Sequence, residues 1–427
     1  MERIYNRNMD ESLIKEELPN GLNIYIFPKK DYVKQYAMLS VDFGSNDIKF
    51  IDVKNGKKRN MPIGIAHFLE HQLFEDKEKS IFDKFADLGA SANAFTNFDS
   101  TNYLFSSTEN FNESLINLID FVQDPYFCED NVEKEKGIIT QEIKMYQDNP
   151  YWRSYFNLLS GLYINHPVKN DIAGTEESVN SITPEDLYIC YYNFYLPSNM
   201  DLILIGDIDA KEVLELIKNN QAKKNFPHFT NPVRIIDEEP EEVSKKIVEE
   251  KMNVARPIVQ FGFKDTELYE KPEQTIRKEY IINILLDVIL GRSSNNFSEL
   301  YEEGIIDNSF SSTYRKKQDY AYVHLYGESS QPELMREKIK EKLTEIDEQD
   351  IKDNFQRIKC KYQGNFIRLF NNFKNLASEF ITYRRLGIDI FELPEIIDEI
   401  EASNLLDYKE KIFNRDLMVE SIILNKD

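Results

Sequence analysis

MPIGIAHFLEHQLFE, residues 61–75, holds two histidines and a glutamate at a spacing that suits one metal ion. In a helix, His67 and His71 lie four residues apart and project from one face, so both imidazoles can bind the same ion. Glu70 comes one position before the second histidine, and its carboxylate reaches the same side of the ion. Zinc accepts neutral imidazole nitrogens, and three protein ligands leave its fourth position for water. The stretch therefore predicts a helix with a catalytic zinc site, in which Glu70 is the general base.

The alternative interpretation of this stretch is an amphipathic helix whose histidines bind backbone carbonyls or water. The chain has only five histidines, however, and two of them fall at ligand spacing with an acid at the diagnostic offset. The order H-x-x-E-H is the reverse of the commoner H-E-x-x-H and is typical of the inverzincins. We therefore favour the metal site.

A third protein ligand is needed from elsewhere in the chain. CEDNVEKEKGIITQEIKMYQDNP, residues 128–150, predicts an acidic helix on which Glu135 and Glu142 lie two turns apart and face one direction. Either carboxylate could bind the metal while the other supports the site from behind. Glu142 has apolar neighbours, and a carboxylate buried among them needs a partner, which favours it as the ligand. Glu133 is interpreted as part of a solvated face.

Length, charge and cysteine usage limit the class of protein. A chain of 427 residues is too long for one ordinary core, so two or more domains are expected. The N-terminus carries charges where a signal peptide has an apolar core, and no apolar run is long enough for a membrane span. Cys128, Cys190 and Cys360 lack C-x-x-C spacing, which favours a reducing, cytoplasmic location. The net charge of −23 argues against nucleic acid or an anionic membrane surface as a partner.

The order of predicted elements indicates a duplication. Residues 45–60 are polar and basic and are interpreted as a loop, whereas residues 91–107 predict a β-hairpin. The acidic stretch 226–250 loses periodicity and is interpreted as a linker between an N-terminal metal-binding domain, 1–225, and a C-terminal domain without metal, 251–427. Each half runs strand, helix, hairpin, helices and strand. We therefore predict a duplicated α+β fold.

Taken together, these motifs resemble the insulinase (pitrilysin) family of zinc metallopeptidases, in its half-length bacterial form. In that family the third ligand follows the second histidine at a separation that 142 − 71 = 71 residues matches. A supporting glutamate precedes that ligand by seven residues, and 142 − 7 = 135. The resemblance therefore implies Glu142 as the ligand and Glu135 as the supporting carboxylate.

The resemblance extends beyond the metal motif and covers nearly the whole chain. Asn93-Ala94-Phe95-Thr96 is similar to the family's Asn-Ala-x-Thr segment, an edge strand that pairs with extended substrate. Other matching segments are PYWR, HPVKNDIAGT, FYLPSNMDLILIGD and LGRSSNNFSELYEEGIID. The resemblance implies two homologous α/β-sandwich domains that form half of a peptidase clamshell. A second subunit would be needed to close the chamber around a peptide.

One stretch departs from the family pattern. Active members contribute an Arg and a Tyr from the C-terminal region, and these groups would bind substrate and stabilise the oxyanion. Residues 300–307, LYEEGIID, contain no Arg and no Tyr at the family's offset, and Tyr314 and Arg315 are wrongly spaced. The chain is thus expected to supply the metal half of a site that a paralogous partner, or a second copy, completes.

Three functions follow from these patterns. The preferred one, implied by the resemblance, is a zinc-dependent endopeptidase that cleaves peptides or short unfolded proteins as one subunit of a dimer. The alternative is a non-catalytic or peptide-binding assembly subunit of a processing peptidase complex, although such relatives lose part of the metal motif. Glycoside hydrolysis by Glu70 and a second acid, without metal, would leave both histidines unexplained.

Overall fold

The computed structural model describes residues 1–75, 80–226, 231–269, 271–346 and 348–426. Residues 227–230, a part of the predicted linker, therefore lie outside the described residues. The chain divides into two compact units, each of which contains segments from both halves of the sequence. The first unit comprises residues 1–144, 171–236 and 372–381, and the second comprises residues 145–170, 237–371 and 382–427.

Both units contain strands and helices. The strands are β1 (Glu2–Asn6), β2 (Glu11–Glu17), β3 (Asn23–Pro28), β4 (Gln35–Val41), β5 (Lys49–Ile51), β6 (Lys58–Asn60), β7 (Ser91–Thr96), β8 (Thr101–Ser107), β9 (Met200–Gly206), β10 (Val233–Arg234), β11 (Ile247–Met252), β12 (Ile258–Lys264), β13 (Ser311–Lys316), β14 (Ala321–Glu328) and β15 (Met418–Asn425). The α-helices are α1 (Ile65–Leu73), α2 (Ile81–Asp87), α3 (Phe111–Gln123), α4 (Glu129–Asp148), α5 (Pro150–Leu162), α6 (Glu176–Asn180), α7 (Pro184–Phe194), α8 (Ala210–Gln221), α9 (Pro272–Leu290), α10 (Asn295–Glu302), α11 (Pro332–Thr344), α12 (Glu348–Leu369), α13 (Phe373–Arg385), α14 (Leu393–Asp398) and α15 (Ala402–Ile412). None of the helices in the described parts of the chain is long and apolar enough to cross a membrane.

The first unit is built on a seven-stranded sheet with the order β1-β2-β3-β9-β4-β8-β7. Only β3 and β9 run parallel to each other; the other neighbours are antiparallel. Helix α1 packs against β7 and β8, α3 packs against β4 and β8, and α7 packs on α1. The predicted hairpin at residues 91–107 is confirmed as β7 and β8, and β7 lies at the edge of the sheet.

The sheet of the second unit repeats the arrangement of five strands in the first. Its order is β11-β15-β12-β14-β13, with β11 and β15 parallel and the other neighbours antiparallel. The strands β3-β9-β4-β8-β7 have the same order and the same relative directions. The predicted α+β fold with two homologous domains is therefore confirmed.

The loop predicted for residues 45–60 is wrong in part, because β5 and β6 form a small hairpin that β10 joins as a third strand. The carboxylate of Asp52, which is almost fully buried, holds the turn together. It accepts hydrogen bonds from the backbone of Lys54 and from the side chains of Asn55 and Arg59. Polar composition favoured a loop, but the polar groups are used to close the hairpin.

The two units differ from the continuous segments 1–225 and 251–427, because a helix of each half packs in the other unit. Helix α5 lies against β12 and β15 of the second unit, where Gly262 leaves room for Leu158 and Leu162. In α13, Phe380 packs edge-on against Tyr25 and Phe27 of β3. The predicted linker is also structured at both ends, since β10 pairs in the first unit and β11 in the second.

Candidate metal centre

Helix α1 carries the H-x-x-E-H motif, and two glycines determine where it begins. Gly64 precedes the helix with φ +89°, and a Cβ on it would lie 2.5 Å from the carbonyl oxygen of Ala173. A Cβ added to Gly174, whose φ is +84°, would lie 2.5 Å from the carbonyl oxygen of Ile63. A side chain at either position would strain the backbone and clash with the opposing carbonyl group. Both glycines are therefore needed for the close contact between the start of α1 and residues 173–174.

His67, His71 and Glu142 are brought together by α1 and α4. The Oε2 atom of Glu142 lies 3.7 Å from Nε2 of His67 and 3.6 Å from Nε2 of His71. All three donor atoms lie within 4.8 Å of one another, and the described residues contain no second group of three such ligands. Ligands about 2.1 Å from a tetrahedral zinc ion lie roughly 3.4 Å apart, so the donor set suits zinc in number, type and spacing.

The orientation of His71 is set by Glu135. Its Nδ1 atom lies 2.9 Å from Oε1 of Glu135, which leaves Nε2 to face Glu142. Burial by itself lowers the pKa of His71, but the hydrogen bond to Glu135 and the nearby carboxylates raise it above its usual value. In the neutral form, Nε2 of His71 and Oε2 of Glu142 are two acceptors that face each other, an arrangement that a cation would stabilise.

The sequence argument about burial on α4 is wrong, although it named both glutamates. Glu135 is the buried one, with 6% of its side chain exposed, whereas the side chain of Glu142 is 22% exposed. Glu133 is exposed and pairs with Lys136, as the solvated face predicted. The buried carboxylate is therefore that of Glu135, which contacts His71. The more accessible carboxylate, that of Glu142, lies beside both imidazoles.

His67 has the properties of a neutral metal ligand. Burial, and to a smaller extent the charge of the neighbouring His71, lowers the pKa of His67 to about 3. The imidazole is therefore neutral at neutral pH. Its Nδ1 atom is buried, and no described residue forms a hydrogen bond with it. The Nε2 atom faces Glu142. A neutral imidazole whose Nε2 atom lies beside the Glu142 carboxylate and close to His71 is placed to bind a metal ion through that nitrogen.

Glu70 lies beside this group and is not one of its three members. Its carboxylate accepts a hydrogen bond from the hydroxyl of Thr96, with 2.5 Å between Thr96 Oγ1 and Glu70 Oε2. Burial raises the pKa of Glu70 to about 7, against the hydrogen bond from Thr96 and the charge of His71, which lower it. The carboxylate of Glu70 is thus a buried group that can act as an acid or a base near neutral pH, and Thr96 is the one described residue that donates a hydrogen bond to it.

The strand that contains residues 93–96 presents part of its backbone to the free edge. Asn97 N–H donates to Ser100 O at the hairpin turn, so by alternation residues 91, 93 and 95 face β8. Residues 92, 94 and 96 then direct N–H and C=O away from β8. The N–H of Ala94 indeed donates to the side-chain oxygen of Asn93, at 2.8 Å. Among the strands of the described residues, β7 pairs only with β8.

Comparison with known proteins identifies the family of the chain. The family model described as Insulinase (Peptidase family M16) matches residues 53–176, and the one described as Peptidase M16 inactive domain matches residues 181–359. The chain is 39% identical over 397 residues to YmfH, an uncharacterized zinc protease of Bacillus subtilis, with 93% of each chain covered. The chain belongs to the insulinase family, peptidase family M16. The resemblance of its motifs is thereby confirmed.

Solved structures show the same relationship at the level of the fold. The crystal structure of an "M16-like peptidase" from Alicyclobacillus acidocaldarius is 34% identical and matches with a TM-score of 0.91, over 97% of this chain and 99% of that chain. The periplasmic protease PqqL of Escherichia coli is 20% identical and matches in fold alone, with a TM-score of 0.73, over 97% of this chain and 48% of that chain. The chain is therefore a half-length member of the M16 family.

Every candidate site residue falls in the first of the two matched regions. The second region contains residues 300–307, the stretch expected from the sequence to depart from the family pattern. Tyr314, the nearest Tyr after this stretch, donates its hydroxyl to the buried carboxylate of Asp265 in the second unit. Its hydroxyl is therefore engaged in the core of that unit.

Two features of the site were not predicted from the sequence. The contact between Thr96 and Glu70 joins residues 26 positions apart, and Thr96 was assigned only to the substrate strand. The roles of Gly64 and Gly174 also came from the structure. Both glycines lie in segments already singled out in the sequence, residues 61–75 and HPVKNDIAGT. Their role could not be predicted, because it depends on the backbone carbonyl groups that face them.

We expect Glu135→Gln to weaken the site without removing a ligand. The amide can still accept from Nδ1 of His71 but carries no negative charge, and loss of an outer-shell partner typically costs about 10–100-fold in metal affinity or activity. Competition with a chromogenic chelator would measure the zinc affinity. Glu133→Gln, the same change at an exposed position of α4, is the control. Wild-type affinity and turnover in Glu135→Gln would contradict the supporting role.

Proposed function

We propose that the chain is a zinc-dependent endopeptidase that cleaves peptides or short unfolded proteins. The observation that carries this proposal is the convergence of His67, His71 and Glu142, with Glu70 beside them but outside the ligand group. The relatives' names as zinc proteases support the metal and the reaction class. Zinc bound to these three side chains would polarise the scissile carbonyl and lower the pKa of a water molecule.

The protein's own side chains would handle the proton and the orientation. Glu70 takes the proton of the attacking water and delivers it to the leaving amine, the role of a general base that becomes a general acid. Glu135 keeps Nε2 of His71 directed at the metal position through its bond to Nδ1. The direct test is cleavage of unstructured peptides by the purified chain, its loss with a chelator and its recovery on addition of zinc.

The substrate would be held as an extra strand on β7. Extended peptides pair with free sheet edges through backbone hydrogen bonds, and residues 92, 94 and 96 direct their N–H and C=O groups to that edge. Asn93 occupies the N–H of Ala94 in the free protein, and its exposed side chain must give way when a peptide pairs there. Such pairing selects extended backbone and so favours unfolded chains over folded ones.

A prediction separates the two edges of β7. Ala94→Pro removes an N–H that points to the free edge, where proline is tolerated, so the melting temperature should change little. The ratio kcat/KM should fall about tenfold, equivalent to roughly 1.4 kcal/mol, which is near the upper end for one hydrogen bond.

The matched control for Ala94→Pro is Asn93→Pro, whose N–H faces β8. That change should destabilise the hairpin, because it removes a bond of the internal ladder. Wild-type kcat/KM in a folded Ala94→Pro variant would exclude strand pairing at this position.

We further propose that the active form is a dimer with a paralogous M16 chain or with a second copy. The missing Arg and Tyr motivate this, because an oxyanion donor has to come from elsewhere. The same absence is the observation that favours the alternative, a non-catalytic or peptide-binding assembly subunit of a processing peptidase complex. Size and turnover should be measured for the chain alone and with a paralogue from a neighbouring gene. Zinc binding without cleavage in either preparation would favour the assembly role.

A further inference from the structure

Thr96 contacts the proposed base, Glu70, and also lies on β7, the edge strand with which the substrate is proposed to pair. Its hydroxyl donates to Glu70 Oε2, while its backbone lies among the groups that alternation directs to the free edge of β7. Its only hydroxyl proton is used in this bond, so the side chain cannot also donate to a substrate.

The neighbouring strand keeps this donor available to Glu70. Thr101, paired opposite Thr96 in β8, donates its own hydroxyl to the carbonyl oxygen of Phe43, at 2.8 Å. The two threonine oxygens are 3.5 Å apart, and because both protons are already directed elsewhere, they do not compete. Thr101 is fully buried, so its hydroxyl is shielded from solvent and keeps this partner.

We propose that Thr96 is a positioning residue that orients the Glu70 carboxylate and links that orientation to the register of the bound peptide. This inference rests on the proposed peptidase function and adds a role to it. The terminal torsion of a glutamate is broad, so a carboxylate with no fixed donor rotates freely. With Oε2 held by Thr96, Oε1 is left for the attacking water.

The linkage to substrate follows from covalent geometry. A peptide that pairs with the N–H and C=O groups of β7 fixes the backbone of Thr96, and therefore the origin of its hydroxyl. A correctly registered peptide would thus hold the base in place at the moment when its bond is to be cleaved. Since a displacement of about 1 Å can cost roughly a hundredfold in rate, such control would affect turnover more than binding.

The test compares Thr96→Val, which removes the hydroxyl but keeps the shape, with Thr96→Ser, which keeps the hydroxyl. We expect the valine variant to lose about tenfold to a hundredfold in kcat with KM within about twofold of wild type, and the serine variant to recover most of that loss. Zinc content should be unchanged in both. Thr101→Val is the control for loss of a hydroxyl in the same strand pair, and should lower stability without this pattern.

A double-mutant cycle with Glu70→Gln shows whether Thr96 acts through Glu70. If it does, Thr96→Val should not lower the residual turnover of Glu70→Gln any further. An equal loss in both backgrounds, a change in KM alone, or equal losses for valine and serine would overturn the positioning role. Wild-type turnover by Thr96→Val, while Glu70→Gln is inactive, would overturn this inference alone. Absence of zinc-dependent cleavage by the wild-type chain and its dimer would overturn the proposed function as well.

Discussion

Glu70→Gln is expected to retain one zinc ion per chain and to lose between about a hundredfold and ten-thousandfold in kcat, the usual contribution of general acid–base catalysis. The amide has the same shape and can still accept the hydrogen bond from Thr96, but it cannot take a proton from water. Because Glu70 is outside the group formed by His67, His71 and Glu142, the metal should remain. Peptide turnover and elemental analysis of the same preparation measure the two effects.

The control for this change is Glu133→Gln, an equal substitution at an exposed carboxylate on α4. It should leave both turnover and metal content unchanged. The melting temperature of Glu70→Gln should not fall, because an amide is easier to bury than a carboxylate. If Glu70→Gln cleaved peptides at the wild-type rate with zinc in place, another group would have to be the base.

Local spacing predicted those parts of the site that lie on a single element. His67, Glu70 and His71 share one helix, and their relation follows from its period of 3.6 residues. The same holds for Glu135 and Glu142 on α4. The sequence did not determine which of the two is buried, because burial depends on how α4 packs against α1. The family resemblance, and not the burial argument, made the assignment that the geometry now supports.

The contacts that no spacing could predict join distant segments. The apolar residues of α5 indicate that this helix is buried, but not that it packs on the sheet of the second unit. The polar stretch 45–60 looked like a loop because its order depends on one carboxylate, that of Asp52. Thr96 reaches Glu70 only because β7 packs beside α1. In each case the structure depends on a contact between residues whose proximity cannot be inferred from their spacing in the sequence.

His67→Ala is expected to remove the metal and the activity together. It deletes one of three ligands, so the loss of zinc affinity should exceed the roughly 10–100-fold expected for an outer-shell change such as Glu135→Gln. The remaining His71 and Glu142 would hold zinc too weakly for it to survive gel filtration. Zinc should raise the melting temperature of the wild-type chain by mass action and should not raise that of the variant.

Melting temperatures measured with and without zinc can distinguish the loss of a metal ligand in His67→Ala from a general destabilisation of α1. The imidazole of His67 is buried, and its Nδ1 atom forms no hydrogen bond with a described residue. In zinc-free protein its removal therefore costs packing but breaks no hydrogen bond at that atom. Wild-type and variant chains should thus differ more in melting temperature with zinc than with a chelator. One tightly bound zinc per chain in a folded His67→Ala variant would mean that His67 is not a ligand, and the proposed peptidase mechanism would fail with it.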